Sequence, residues 1–352
     1  MGFNLSSISF IFEAILLAFV LVAAMAWLSL PISRKIGLLD VPRSAPHKQH
    51  SRPTPMAGGL ALVAGLLLSS WILGLFQSRS IAAIFFGSVL VFLFGLWDDL
   101  RVIPPLLKFI GQILAVFVLI WLGVRIQILE SPEFFLGGSS VVYVYLDWFL
   151  TFLWVVGITN AFNFVDSMDG LAVGLAGMAA AFFMLVTLDS QQPSLSRLSA
   201  LLLGSCIGIY IFNSPPAQLF LGDSGAQTLG FILAVLAIDY RPQGANQSSS
   251  WLVPILVLGI PIFDATLVVL SRLRRGRAVY AAARDHTYHR LITFGWNSNR
   301  AVLAMQIASL LLGCLAFVIL TRPPLLANGI FSGILLLGVL AVAYLDSRKR
   351  WQ

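Results

Sequence analysis

Charge is scarce in this sequence: Asp, Glu, Lys and Arg supply 11% of its 352 residues, against roughly 25% in ordinary soluble domains. No polar stretch is long enough to bury a core of its own, so a separate water-facing domain is excluded. Cysteine is nearly absent. Cys206 and Cys314 are the two, both inside apolar runs, which implies packing residues and no disulfide framework. Histidine is limited to four residues; two of them, with no reachable Cys, disfavour a zinc centre. The first apolar run, about 8–30, lacks a basic segment before it and is too long for a signal-peptide core, so it is expected to be a retained span.

What is present is hydrocarbon. Apolar residues make up 59% of the chain, mean hydropathy is +0.91, and windows of about 20 apolar residues, each long enough to cross a bilayer, recur throughout. The expected fold is an all-α polytopic membrane protein forming one domain over 1–352. About eleven transmembrane helices are expected, at 8–30, 56–76, 81–97, 106–123, 141–159, 170–188, 198–213, 225–239, 251–270, 301–320 and 327–345. Alternating directions then put Arg34, Lys35, Arg43, Lys48, Arg52, Arg101, Lys108, the Arg residues from Arg272 to Arg300, Arg348, Lys349 and Arg350 on one face. Only Arg79, Arg125, Arg197, Arg241 and Arg322 fall on the other. By the positive-inside rule the basic face is cytoplasmic, with the N-terminus outside and the C-terminus inside. The net charge of +7 thereby belongs to membrane topology and not to nucleic-acid binding. Pro261 and Asp264 within the ninth span predict an interrupted helix, tolerated where it lines a cavity.

Asp98, Asp99, Asp166, Asp169, Asp223 and Asp285 gather on this same face from separate loops, as a shared site requires. In Asn160-Ala-Phe-Asn-Phe-Val-Asp-Ser-Met-Asp-Gly170, the residues Asn163, Asp166 and Asp169 stand three apart and fan across one side of a helix end. One Asp would serve as a cap; four polar side chains near hydrocarbon point to function. Adjacent Asp98 and Asp99 repel and call for a cation, either a metal or Arg101 and Lys108. Gly58 and Gly59, following basic residues, suit a phosphate ligand approached closely by backbone, or the region is a lipid-facing basic patch. Asp223 in Phe220-Leu-Gly-Asp-Ser-Gly225 reads both as the N-cap of the next helix and as a hard oxygen ligand. Phe220 suits either core packing or stacking on a base. His286 and His289 beside the Arg-rich run can donate to phosphate or sugar oxygens. Abundant carboxylates favour Mg²⁺, or Mn²⁺.

In this order and on this face, Gly37-Leu-Leu-Asp40, Gly58-Gly59, Asp98-Asp99, Asn160–Gly170, Phe220–Gly225 and the late His pair resemble the polyprenyl-phosphate N-acetylhexosamine-1-phosphate transferase family across about 37–296. The resemblance implies transfer of a phospho-sugar from a UDP-N-acetylhexosamine to undecaprenyl or another polyprenyl phosphate, with Mg²⁺ and release of UMP. It implies a multi-pass protein of the inner (plasma) membrane with a cytoplasmic site, initiating a cell-envelope polymer, and leaves a homodimer open. Asp223 looks like the Mg²⁺ ligand and Phe220 like the uracil-stacking residue. Asn160, Asn163, Asp166 and Asp169 look like nucleotide and catalytic-site residues. Asp98 and Asp99 are candidates to deprotonate or position the lipid phosphate, and Lys108 matches a family lysine. Arg52, Arg277 and Arg284 are expected to meet substrate, and His286 and His289 match the outer positions of a His-x-His-His motif.

Two positions depart from the family. Tyr288 replaces the middle His, and Val102 stands where a third Asp often follows the pair. The short Arg-rich loop before the His pair is closer to the N-acetylglucosamine-1-phosphate branch than to the phospho-N-acetylmuramoyl-pentapeptide branch. A secondary transporter would place its ionisable residues at the midplane and show an internal repeat; neither is apparent.

Overall fold

The computed structural model describes residues 5–41, 52–130, 141–241, 251–279 and 283–347. Arg43, His47, Lys48, His50, Arg348, Lys349 and Arg350 lie outside the described residues. Helices dominate: α1 (Leu5–Ile36), α2 (Gly58–Ile72), α3 (Arg79–Leu100), α4 (Pro105–Trp121), α5 (Val141–Val165), α6 (Leu171–Asp189), α7 (Pro193–Asn213) and α8 (Gly222–Asp239) come first. They are followed by α9 (Leu252–Val257), α10 (Gly259–Arg274), α11 (Thr287–Thr293), α12 (Ser298–Leu320) and α13 (Pro324–Asp346). A two-residue antiparallel pairing of β1 (Leu39–Asp40) with β2 (Thr54–Pro55) follows α1.

Every expected span falls on a helix, but seven among the described residues are long and apolar enough to cross a membrane: α1 from Ser9, α3, α5, α6, α7, α12 and α13. α2 and α4 are shorter apolar helices. At 15 and 17 residues they reach roughly 22–26 Å at 1.5 Å per residue, short of the ~30 Å hydrocarbon layer. The ninth stretch is two helices that meet at Leu258, where Pro254 and Pro261 each lack a backbone donor.

α8 is the centre of the bundle. Its residues from Ser224 through Ala237 are buried on all sides, as an all-round apolar helix must be, and α2, α3, α5 and α6 pack around it. Small residues set how closely it is approached. A Cβ on Gly95 of α3 would come within 2.6 Å of Ser224 Cα, and one on Gly230 within 2.9 Å of the Ile158 carbonyl oxygen on α5. Such glycines let membrane helices meet backbone to backbone. α1 packs on α2 and α7 outside this centre, while α9 to α13 form a second group against α5 and α6. Cys206 is buried and Cys314 exposed, both as free thiols.

The alternation of helices brings the C-terminal ends of α3, α5, α7 and α10 to the same end of the bundle as the N-terminal ends of α2, α4, α6 and α8. That end carries the polar stretches singled out above.

Candidate active site

The N-terminus of α8 is built by three neighbours. Gly222 has φ +72° and leaves room for Asp99, whose Oδ2 would lie 2.6 Å from a Cβ there. Asp99 Oδ1 accepts from the Asp223 amide at 2.7 Å, and Oδ2 accepts from the Ser224 amide at 3.1 Å and Ser224 Oγ at 2.5 Å. Asp99 at the end of α3 therefore caps α8 from outside that helix. This corrects one expectation. Asp223 makes no capping bond, because it lies in the first turn of α8 with its side chain directed elsewhere. Three donors of α8 engage Asp99, one on Oδ1 and two on Oδ2.

Gly58 and Gly59 are also reassigned. Their amides donate to the carbonyls of Phe220 and Leu221 at 3.0 and 2.9 Å, and the Phe220 amide donates to the Pro55 carbonyl at 2.8 Å. A Cβ on Gly59 would sit 2.3 Å from Ser224 Oγ. The backbone that approaches these glycines is the protein's own, so they shape the site and do not cradle a ligand. Half-buried Phe220 is anchored through this pairing, and Arg52 is exposed just ahead of β2.

Lys108, in the first turn of α4, joins the carboxylates. Its Nζ donates to Asp98 Oδ2 at 3.0 Å and to Asp223 Oδ2 at 2.8 Å. Asp98 Oδ1 accepts from the Ile103 amide at 2.9 Å, closing the turn between α3 and α4. Arg101 is exposed and forms no ion pair among the described residues, so of the two basic candidates Lys108 alone pairs with Asp98. Asp223 Oδ2 also accepts from Gln227 Nε2 at 3.2 Å, and no donor reaches its Oδ1 among the described residues.

The turn between α5 and α6 divides its polar side chains. Asp169 Oδ2 accepts from the Ala217 amide at 2.9 Å, and the Gly170 amide donates to Asn213 Oδ1 at 3.1 Å; both fasten the turn to the end of α7. Asn160 donates to Gln112 Oε1 at 2.8 Å and to the Val156 carbonyl at 2.8 Å, so both its amide protons are engaged by protein. Half-buried Asn163 and Asp166 receive no hydrogen bond among the described residues. Enclosure, then the charges of Asp223, Asp99 and Asp169, push the Asp166 carboxyl well above the usual carboxylate range. Five carboxylates, Asp98, Asp99, Asp166, Asp169 and Asp223, are thus gathered with one ammonium that pairs with two of them, an excess that a bound cation would relieve. Among the described residues no three His, Cys, Asp or Glu side chains converge on one metal position. Mg²⁺ takes one or two carboxylates from protein and completes its shell with water and substrate oxygens, a number that Asp223 and Asp166 can supply.

The His-bearing segment forms the remaining wall. His286 Nδ1 lies 2.8 Å from Oδ2 of fully buried Asp264, which also accepts from the Thr287 amide at 2.6 Å. A carboxylate only accepts, so Nδ1 carries the proton and Nε2 is left for a partner. His289, 4.1 Å from the Tyr288 ring between centroids, is held down to a pKa of about 4 by burial and then by His286 and Arg284; it is neutral at physiological pH. Tyr288 is fully buried, stacks on His286 and donates its hydroxyl to Ser167 Oγ. The residue in the middle of the motif therefore ties this segment to the Asp166 turn.

Behind it, Arg272 pairs with Asp285 through Nε and Nη2 at 2.9 and 2.8 Å. Fully buried Arg290 donates to the Asp285 and Leu345 carbonyls, to Asp346 and to Ser271. Arg277 and Arg284 are exposed on the same segment. Gln112, Gln227, Ser167, Arg290 and Asp346 were not singled out in the sequence. The signal for Gln112 was legible all the same, as an amide in the middle of an apolar run.

The profile of glycosyl transferase family 4 matches residues 81–241. The chain is 29% identical to the probable undecaprenyl-phosphate N-acetylglucosaminyl 1-phosphate transferase of Bacillus subtilis, over 82% of this chain and 79% of that protein. It is 32% identical to the decaprenyl-phosphate N-acetylglucosaminephosphotransferase of Mycolicibacterium smegmatis, over 80% and 75%. Identity to the undecaprenyl-phosphate alpha-N-acetylglucosaminyl 1-phosphate transferase of Escherichia coli is 26%, over 80% of this chain and 76% of that protein.

Proposed function

The chain belongs to glycosyl transferase family 4, and from that membership we propose that it transfers N-acetylglucosamine-1-phosphate from UDP-N-acetylglucosamine to undecaprenyl or another polyprenyl phosphate, releasing UMP. The observation that carries this is the meeting of Asp98, Lys108 and Asp223, from three helices, within reach of the charge of Asp166, whose carboxyl no donor meets among the described residues. It is a cluster of carboxylates around one ammonium at one end of the helix bundle.

Phosphoryl transfer needs placement and charge neutralisation more than covalent help. A phosphate monoester has its second pKa near 6, so the lipid phosphate arrives largely as the dianion and requires no base. One of its oxygens attacks the β-phosphorus of the nucleotide sugar, and the bond from that phosphorus to the oxygen bridging to the α-phosphate breaks. UMP departs with that oxygen, and the lipid keeps a new diphosphate. Asp223 with Asp166 would hold Mg²⁺, which when bound supplies positive charge against the diphosphate. Lys108 fixes Asp223 and Asp98 relative to each other. His286, oriented by Asp264, and neutral His289 hydrogen-bond the sugar-phosphate, Arg277 and Arg284 meet its charge, Asn163 serves the nucleotide and Phe220 stacks on the uracil ring.

The topology proposed with this activity has eleven crossings, the bilayer thinning locally to meet the shorter α2 and α4, with the Arg-rich end in the cytoplasm, where nucleotide sugars are made and where the positive-inside rule puts it. The test is UMP release by purified protein given Mg²⁺, undecaprenyl phosphate and a panel of UDP-sugars. Release with UDP-N-acetylglucosamine and its loss in Asp223→Asn are expected; no release with any UDP-N-acetylhexosamine refutes the activity.

A further inference from the structure

Gln227 lies one helical turn beyond Asp223 on α8, Gln112 on α4 meets it, and Asn160 on α5 meets Gln112 in turn. Their amides form one continuous chain. Asn160 Nδ2 donates to Gln112 Oε1 at 2.8 Å, Gln112 Nε2 to Gln227 Oε1 at 3.0 Å, and Gln227 Nε2 to Asp223 Oδ2 at 3.2 Å. Gln112 closes the far end with a second, longer bond of 3.4 Å to Asn160 Oδ1. Gln112 and Gln227 are 2% and 1% exposed, so neither meets solvent.

The direction of the chain is set by its two ends. Asp223 is a carboxylate and the Val156 group that receives Asn160 is a carbonyl; both only accept. Each amide must therefore turn its NH₂ toward Asp223 or Val156, and the oxygens between them fall into place without conflict. Any single amide reversed would set oxygen against oxygen or NH₂ against NH₂, leaving a buried polar group unsatisfied. Asp223 Oδ2 is thus gripped from two sides, by the Gln227 amide and the Lys108 ammonium at 2.8 Å. Two donors hold Oδ2 in place, and among the described residues no donor reaches Oδ1.

We propose that Gln112 and Gln227 are positioning residues for Asp223, holding Oδ2 so that Oδ1 is presented to the divalent cation. This role rests on the assignment of Asp223 as a cation ligand. Partners that orient a metal-binding group typically change metal affinity 10–100-fold when removed. Lys108 cannot substitute for the chain, because one ammonium shared with Asp98 fixes the distance of Asp223 but not its rotation.

The experiment is a Mn²⁺ titration of the purified full-length protein in nanodiscs, without UDP-sugar or lipid phosphate, with free ion read by electron paramagnetic resonance. Methionine keeps the length of glutamine and removes its amide. Gln227→Met and Gln112→Met are each expected to weaken Mn²⁺ binding about tenfold. The double variant should lose little more than the larger single loss, because both residues act through one chain. In turnover, the apparent Mg²⁺ constant should rise while kcat at saturating Mg²⁺ changes much less, a split that loss of fold would not give. If Gln112→Met does not fold, Asn160→Leu breaks the chain at its far end and is expected to weaken Mn²⁺ in the same direction. Parent-like Mn²⁺ affinity in the Gln variants, with binding lost in Asp223→Asn, overturns the positioning role alone. A parent that binds no Mn²⁺, or an Asp223→Asn variant that binds like the parent, overturns the cation assignment and this role with it.

Discussion

Asp166 stands among Asp99, Asp169 and Asp223 with no donor among the described residues, and its carboxyl is held well above the usual range by enclosure and those charges. A carboxyl raised in the folded state contributes stability below the ordinary carboxylate range and loses it as pH rises through the raised pKa. At neutral pH, without divalent cation, the folded state's resistance to ionising this carboxyl therefore opposes folding. Asp166→Asn is expected to raise Tm by about 2 °C or more in EDTA while activity falls at least a hundredfold; a lower Tm in EDTA would contradict the crowding. His289 has the opposite linkage. Burial, then His286 and Arg284, hold its pKa to about 4, against roughly 6.5 unfolded, so its contribution is present above about 6.5 and lost as pH falls toward 4. His289→Gln should flatten that part of the Tm–pH curve relative to the parent. The sequence made all these residues visible, because polar side chains among apolar runs are rare. It did not separate their roles: Asp99 and Asp223 meet across 124 positions, and which of two carboxylates caps and which stays open depends on that meeting.

Among the elements, α13 shows how a marginally packed helix can still matter. Only 6% of its apolar window is buried within the protein, yet Asp346 at its end accepts from Ser271 and Arg275, and pairs with Arg274 and with fully buried Arg290. Removing one partner of a buried charge cluster is strongly destabilising locally, on the order of 3 kcal/mol. Asp346→Ala is expected to lose hydrogen-exchange protection over 271–279 and 283–293 and at least tenfold of activity, with α1 to α8 unchanged; unchanged exchange in the His segment would refute the latch. At the other wall, Gly59→Ala places a carbon 2.4 Å from the Gly225 nitrogen and should separate α2 from α8, cutting both folded yield and activity. Span positions were legible because a bilayer imposes length and hydropathy. The β1–β2 pairing and the shortness of α2 and α4 were not, since two-residue strands carry no periodicity and tertiary packing sets where those helices end.

Over the whole molecule, helix ends carrying Asp98, Lys108, Asp166, Asp223, His286 and Arg277 converge at one end of the bundle, and Arg125 and Arg322 belong to connections at the other. With that first end cytoplasmic, cysteine placed at Arg277 should resist a membrane-impermeant thiol reagent in intact cells, whereas cysteine at Arg322 should react; the reverse pattern would invert the topology. The central claim is that the β-phosphate of the nucleotide sugar moves to a lipid phosphate. The most direct measurement supplies UDP-N-acetylglucosamine carrying ³²P at the β-phosphate, with undecaprenyl phosphate and Mg²⁺, and follows the label. Transfer of the label into an organic-extractable lipid diphosphate in step with UMP is predicted. Label that remains in water-soluble nucleotide or sugar phosphate would contradict the claim.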